Sequence, residues 1–245
     1  MQITCTIIAR DEADRIGRAI RSVTGIADEV LVVDSGSTDA TMAVSEALGA
    51  RVLVNPWVGF GPQKRFAEDE AGHDWILNLD ADEWLTDELR REILAIKTAG
   101  APATRAFRMR TRIVYPRRKA PHPFADFHNY IRLYNRGITR CRNSLAHDEV
   151  LPTDDVVRLR GEILHQSFRS VSHIVQKMLH YSELQRQEGL CPEPVPLARC
   201  VLEFPFQFLK YYLLRGHVFG GRAGYTYATA FAFSRWMRLM VRAGW

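Results

Sequence analysis

Three carboxylates crowd four positions where the apolar run Trp75 to Leu79 stops: Asp80, Asp82 and Glu83, in the string DWILNLDADEW. Residues two apart on extended chain point to the same side, and the small Ala81 lets the backbone approach a ligand closely. Oxygen ligands of this kind suit Mg²⁺ or Mn²⁺, which keeps part of its water and is completed by substrate phosphates. Such an ion would neutralise a departing diphosphate. The plainer reading of the same residues is a solvated turn, with Asp82 or Thr86 capping a helix that starts at Asp87.

Two further strings carry reactive or binding groups. Asp34 closes the apolar run EVLVVD, where a carboxylate can accept from a ring N–H or a ribose hydroxyl, and SGSTD after it can turn the chain and cap a helix through Ser37, Thr38 or Asp39. Gln63-Lys64-Arg65 follows the glycine-bearing WVGFGP. A cation there could reach a diphosphate; the alternative is a solvated basic turn.

The elements that must position these groups follow from periodicity. Ile3 to Ala9 reads as a buried strand, Glu29 to Asp34, Arg51 to Val54 and Trp75 to Leu79 as further strands, and Ala13 to Val23 and Thr38 to Leu48 as helices. Strands alternating with helices predict an α/β fold built on a mostly parallel sheet, in which ligands collect beyond the carboxyl ends of the strands. Arg10-Asp11-Glu12, Asp34-Ser35-Gly36 and Asp80-Ala81-Asp82 all fall at that edge. Farther on, Arg105 to Tyr115 and Asn129 to Asn135 read as strands, and Ser170 to Glu188 as a helix.

The chain of 245 residues, 47% of them hydrophobic, can bury a substantial core. Its formal charge of +5 favours anionic partners, and no helix-turn-helix or RNA-binding signature assigns that charge to nucleic acid. The four cysteines form no C-x-x-C pair, which fits a reducing compartment. The N-terminus lacks the pattern of a signal peptide, and no stretch reaches the ~18 uninterrupted apolar residues of a membrane-spanning helix. After the Pro-rich CPEPVP the composition turns aromatic and basic. Phe204, Phe206, Phe208, Leu209 and Leu213, punctuated by Lys210 and Arg215, suit an interfacial helix, and Arg222, Arg235, Arg238, Arg242, Trp236 and Trp245 favour anionic headgroups. The other reading is that these residues pack the helix onto the rest of the chain.

Taken in order, TCTIIARDEADRIGRAIRSV, DEVLVVDSGSTDAT, GARVLVNPWVGFGPQKRFA and DWILNLDADE resemble the glycosyltransferase family 2 enzymes with the GT-A fold, and more narrowly the bacterial lipopolysaccharide core glycosyltransferases of the β-glucosyltransferase type. The resemblance implies a GT-A catalytic domain over 1–190, its nucleotide-sugar half about 1–100 and its acceptor half about 101–190, followed by a helical extension over 191–245. It implies a nucleotide-sugar donor, UDP-glucose foremost, a divalent metal, and displacement with inversion at the anomeric carbon. The acceptor would be a lipid-linked core saccharide, met by a peripheral protein at the cytoplasmic face of the bacterial inner membrane.

Carried over by position, Arg10 and Glu12 line the nucleotide pocket, Asp34 contacts the base or ribose, and Asp80, Ala81 and Asp82 serve the ribose and the metal-bound diphosphate. The family usually shows Lys followed by Asn where this chain has Lys64-Arg65, so Lys64 is the candidate for the diphosphate. NSLAHDEVLP resembles the family's His-Glu string with Asp148 in the place of the Glu, making Asp148 the candidate base and Glu149 its neighbouring competitor. His165 in GEILHQSF corresponds to a recurring histidine that could complete the metal shell, and His147 is a weaker candidate of the same kind. Two rivals stay open: transfer to a polyprenyl phosphate, which needs no base, and a catalytically silent nucleotide- or membrane-binding scaffold.

Overall fold

A computed structural model of the chain describes residues 1–100, 103–122, 124–125, 127–146, 148–187 and 194–244. His147, Trp245, Glu188 and the boundary expected near residue 190 lie outside the described residues. The chain divides into two compact units, Met1–Arg112 with His128–His165, and Ile113–Phe127 with Gln166–Trp245.

The first unit carries one eight-stranded sheet. Its strands are β1 (Ile3–Ala9), β2 (Glu29–Asp34), β3 (Arg51–Val54), β4 (Trp75–Asp80), β5 (Glu83–Leu85), β6 (Ala106–Ile113), β7 (Phe127–Asn135) and β8 (Val156–His165), in the order β3-β2-β1-β4-β7-β6-β8-β5. The helices of this unit are α1 (Ile16–Val23), α2 (Thr41–Ala47), α3 (Phe60–Glu70) and α4 (Asp87–Ala99). The four strands read first in the sequence pair in parallel, as their alternation with helices requires. β7 then joins β4 antiparallel, and β5 pairs antiparallel with β8.

β1, β2 and β3 have the predicted limits; β1 and β2 are buried along most of their length, whereas β3, at the sheet edge, leaves Arg51 and Val54 exposed. Helices α1 and α2 start later than expected, and the cause is local. The residues before them are held as turns: Asp39 Oδ1 accepts from Thr41 N at 2.9 Å, and Arg15 N donates to Glu12 O at 2.9 Å. The main core lies between the sheet and α1 and α4, where Ile3, Ile7, Ile16, Leu77, Leu89 and Ile163 are fully buried. Each such side chain contributes roughly 1.5–3 kcal/mol by leaving water. Gly161 of β8 lets α4 lie flat on the strand, since a Cβ there would sit 2.3 Å from Leu89 N.

The second unit is helical: α5 (Val171–Gln187), α6 (Leu197–Leu209), a π-helical turn at Lys210–Leu214, a 3₁₀ turn at His217–Gly220 and α7 (Gly221–Arg242). Its core gathers Ile113, Tyr115, Phe168, Ile174, Met178 and Tyr227. Trp236 of α7 donates its indole N–H to Cys200 O at 3.1 Å, tying α7 to α6. Part of the aromatic C-terminal segment therefore packs internally, while Leu202, Phe206, Leu209 and Leu213 remain exposed. Among the described residues no helix is long and apolar enough to cross a membrane.

Candidate active site

Parallel pairing aligns the strand ends. Asp34 stands opposite Ala9 and Asp80 opposite Ile8, so the tips of β2 and β4 flank the tip of β1. Side chains lace the loops there: Asp11 N donates to Ser37 Oγ at 2.8 Å, Thr38 N to Asp11 Oδ1 at 2.8 Å, and Glu12 N to Thr41 Oγ1 at 2.7 Å. SGSTD is thus a brace for the edge. The buried Asp34 takes part in it, accepting from Gly36 N at 2.9 Å and Ser37 N at 2.6 Å. Arg10 is exposed just past β1.

Lys64 is placed by a backbone contact. Gly59 has φ 129°, a conformation that favours glycine, and Gly61 packs so tightly that a Cβ would lie 2.1 Å from Arg142 O. Phe60 N and Gly61 N donate to Leu145 O and Ser144 O at 3.0 and 2.9 Å. With Arg142 to Leu145 held against the start of α3, the Lys64 ammonium, 3% exposed, lies 2.6 Å from Asp148 Oδ2 and 2.8 Å from Asp80 Oδ1. It is no solvated turn. Burial would lower the lysine, but Asp148 and Asp80 outweigh that and hold it well above its ordinary value. Gln63 is fixed in the same way, donating to Ser35 Oγ and accepting from Asn55 Nδ2, and Arg65 donates to Cys141 O at 2.8 Å. Glu149 points elsewhere, to a surface pair with Arg142 at 3.2 Å.

Asp80, Ala81 and Asp82 turn the chain from β4 into β5. Glu83, fully buried, reaches back to accept from Asp80 N at 3.0 Å. Arg132 of β7 lies 2.7 Å from Glu83 Oε1 and 3.6 Å from Asp80 Oδ2, its guanidinium 5.5 Å from the Tyr130 ring centre. Burial pushes Glu83 up to about 7 despite the arginine. Asp80 goes the other way: burial raises it, but Lys64 and Arg132 together hold it well below the usual carboxylate range.

The β5–β8 register sets His165 opposite Glu83. His165 Nε2 lies 3.1 Å from Asp82 Oδ1, and Nδ1 3.9 Å from Glu83 Oε1. Arg15 Nη1 lies 3.5 Å from Asp82 Oδ2 and forks onto Glu12 at 2.6 Å, linking Glu12 to the turn. Of the sequence candidates, the structure brings Glu12, Lys64, Asp80, Ala81, Asp82, Asp148 and His165 into one cluster. Asp34 sits in the neighbouring brace and Arg10 at its rim.

Three residues of the cluster, Glu83, Arg15 and Arg132, were given no site role from the sequence. Glu83 was visible in the acidic triplet, and Arg15 stands three residues after Glu12, a spacing that allows an ion pair on a turn. Arg132 gives no signal, because an arginine on a strand is ordinarily exposed.

The donor set fits a divalent cation. One ligand atom each from Asp80, Glu83 and His165 lie within 4.8 Å of one another, and Asp82 abuts the histidine. Carboxylate oxygens with one imidazole nitrogen suit Mn²⁺ or Mg²⁺ better than a soft metal.

Residues 4–152 match the family described as Glycosyl transferase family 2. A Rickettsia felis protein named as an uncharacterized glycosyltransferase is 38% identical over 250 residues, covering 97% of this chain and 88% of the relative. The chain therefore belongs to glycosyltransferase family 2 and is a glycosyltransferase. The lipopolysaccharide core biosynthesis glycosyltransferase LpsC of Rhizobium meliloti is 29% identical over 227 residues, covering 88% of this chain and 82% of LpsC. Among solved structures, S. aureus TarS 1-349 in complex with UDP-GlcNAc matches with a TM-score of 0.50 at 13% identity, covering 100% of this chain and 92% of that one. A likeness at that identity speaks to the fold, which is the expected GT-A arrangement.

Proposed function

We propose that the protein is an inverting, metal-dependent hexosyltransferase that moves a sugar, glucose foremost, from a UDP-sugar to a lipid-linked core saccharide. The carrying observation is the single cluster in which Asp80, Asp82, Glu83 and His165 adjoin the Lys64–Asp148 pair. The similarity to LpsC supports the acceptor class, and the UDP-GlcNAc complex of TarS supports a UDP-sugar donor.

In this reading Asp148 takes the proton of the acceptor hydroxyl as its oxygen bonds to the anomeric carbon. The bond from that carbon to the diphosphate oxygen breaks with its electron pair, and the nucleoside diphosphate leaves. Lys64 aims the Asp148 carboxylate, while Glu149 points to Arg142. Asp80, Asp82, Glu83 and His165 would hold a divalent ion, which supplies charge neutralisation at the leaving diphosphate. Arg15 and Arg132 fix the carboxylates from behind. Arg10 and Asp34 would meet the nucleotide at the strand tips. The reading extends to the cytoplasmic face of the inner membrane, where the exposed apolar residues of α6 would meet anionic lipid.

The test is transfer from UDP-glucose to a purified core acceptor, with Mn²⁺ or Mg²⁺ and after chelation. Loss of transfer in both Asp82→Ala and Asp148→Ala is expected; full activity in either overturns the assignment.

A further inference from the structure

A shallow depression of about 520 Å³ opens in the helical unit, lined by Tyr212, Gly221, Arg222, Tyr225 and Thr226. It is distant in kind from the acidic cluster: its walls are two tyrosines and a cation. The Tyr212 and Tyr225 rings meet edge to face at 6.0 Å, and Phe208 stacks on Tyr212 at 5.3 Å, which fixes that wall. Arg222 is exposed, and Thr226 Oγ1 donates to the Arg222 carbonyl at 3.0 Å, leaving the guanidinium as the charged group of the site. The 22-residue α7 begins here with no side-chain cap and no acid in its first turn, so its N-terminal amides add to the attraction for an anion. Gly221, at φ 58°, has nothing within 4 Å of where a Cβ would stand, which keeps the floor open.

The surroundings select the kind of anion. Tyr212 belongs to the π-helical turn Lys210–Leu214, and the same turn exposes Leu213 and Leu214 at 53% and 83%. Leu202, Phe206 and Leu209, at helical i, i+4 and i+7 spacing, extend that apolar face along α6. Residues 197–244 hold seven Lys and Arg against the single acid Glu203. An apolar stripe beside a cationic, tyrosine-walled depression matches the boundary between acyl chains and phosphate.

We propose that this depression is a subsite for the phosphate headgroup of an anionic lipid in a bilayer, occupied while Leu209, Leu213 and Leu214 enter the acyl boundary. The assignment rests on the reading that α6 faces a lipid surface, and goes beyond it by naming the group that Arg222 binds.

The experiment is co-sedimentation of the full chain with phosphatidylcholine vesicles, with and without phosphatidylglycerol. Three variants are compared: Arg222→Gln, Tyr225→Ala, and Arg199→Gln, which removes an exposed charge outside the depression, loosely paired with Glu203 at 3.9 Å. Thermal melts and hydrolysis of the sugar donor, expected unchanged, verify that each variant is folded. Arg222→Gln should weaken partition to the anionic vesicles roughly tenfold, Tyr225→Ala should weaken it without a change of charge, and Arg199→Gln should have much the smaller effect. Equal losses in the two arginine variants would overturn the subsite and leave the lipid-facing reading standing, because general attraction would then explain both. Absence of wild-type binding to either vesicle overturns both. Wild-type vesicle partition in both Arg222→Gln and Tyr225→Ala, with a thermal shift by inorganic phosphate that Arg222→Gln abolishes, overturns the lipid as occupant and assigns the depression to a free anion.

Discussion

Lys64 and Asp148 form a 2.6 Å ion pair in which the lysine is almost wholly buried. The pair joins α3 to the segment that carries the candidate base, and the same ammonium holds Asp80 at the tip of β4. Replacing Lys64 by Met removes the partner of two carboxylates at once. The variant should lose about 2–4 kcal/mol in urea unfolding, at the lower end because both acids keep some contact with water, and transfer should fall with it. Lys64→Arg should recover part of the stability; equal instability in both would deny the charge any role.

Asp148→Asn keeps the shape of the base and removes its proton affinity. Transfer to a sugar hydroxyl should drop about 10²–10⁴-fold in kcat while the KM for the donor stays close to wild type. A variant that keeps its rate would point to an acceptor that is already an anion, as in polyprenyl-phosphate transfer. The single measurement therefore separates two acceptor classes.

Gly61→Ala tests the contact that places the pair. The new methyl would collide with Arg142 O and Ser144 N, backbone atoms that cannot swing away. A cost of about 1–3 kcal/mol is expected, with transfer lost beyond what the remaining folded fraction explains. Wild-type rates would show that Arg142 to Leu145 can shift without moving Asp148.

Away from the site, acid should weaken the fold through Asp28. Burial raises its carboxyl, but the Lys97 ammonium and Ile3 N–H, each 2.8 Å away, bring it below the ordinary value. The folded chain thus releases this proton more readily than the unfolded chain does. Its contribution is complete above the unfolded carboxyl range, near ~4, and is lost as pH falls through the lower folded value. Asp28→Asn should cost about 1 kcal/mol at neutral pH and flatten the acid limb of a stability profile. An unchanged limb would assign acid sensitivity to other groups.

Thermal stabilisation by UDP, GDP and CMP, each with and without Mn²⁺, tests the donor and the ion together. A shift with UDP that needs Mn²⁺ and vanishes in Asp82→Ala is expected. A larger shift with GDP or CMP would reassign the donor class.

The sequence reading was most accurate where burial is apolar. Apolar and β-branched residues dominate β1, β2 and β3, and their limits were legible to the residue. Helix α3 was not, because the side it buries is Gly61, Gln63, Lys64, Ala67 and Glu68, and a polar buried face leaves no hydrophobic period to find. β5, three residues long, is too short to show alternation. The acidic turn was readable from Asp80 and Asp82, yet the grip of Arg132 on Glu83 depends on pairing β7 beside β4, a long-range fact that no local pattern carries.

The ion pairs around the turn also fix its electrical balance. Glu12, Asp80, Asp82, Glu83 and Asp148 stand against Arg15, Lys64 and Arg132, a formal surplus of two negative charges with all five carboxyls counted as ionised and His165 as neutral. One divalent ion would bring the cluster to neutrality and no further. A nucleoside diphosphate freed there would meet little excess positive charge to retain it, apart from the exposed Arg10 at the rim. On the proposed reading the cluster would favour turnover, with the grip on the product set at its exposed rim and open to loosening by salt.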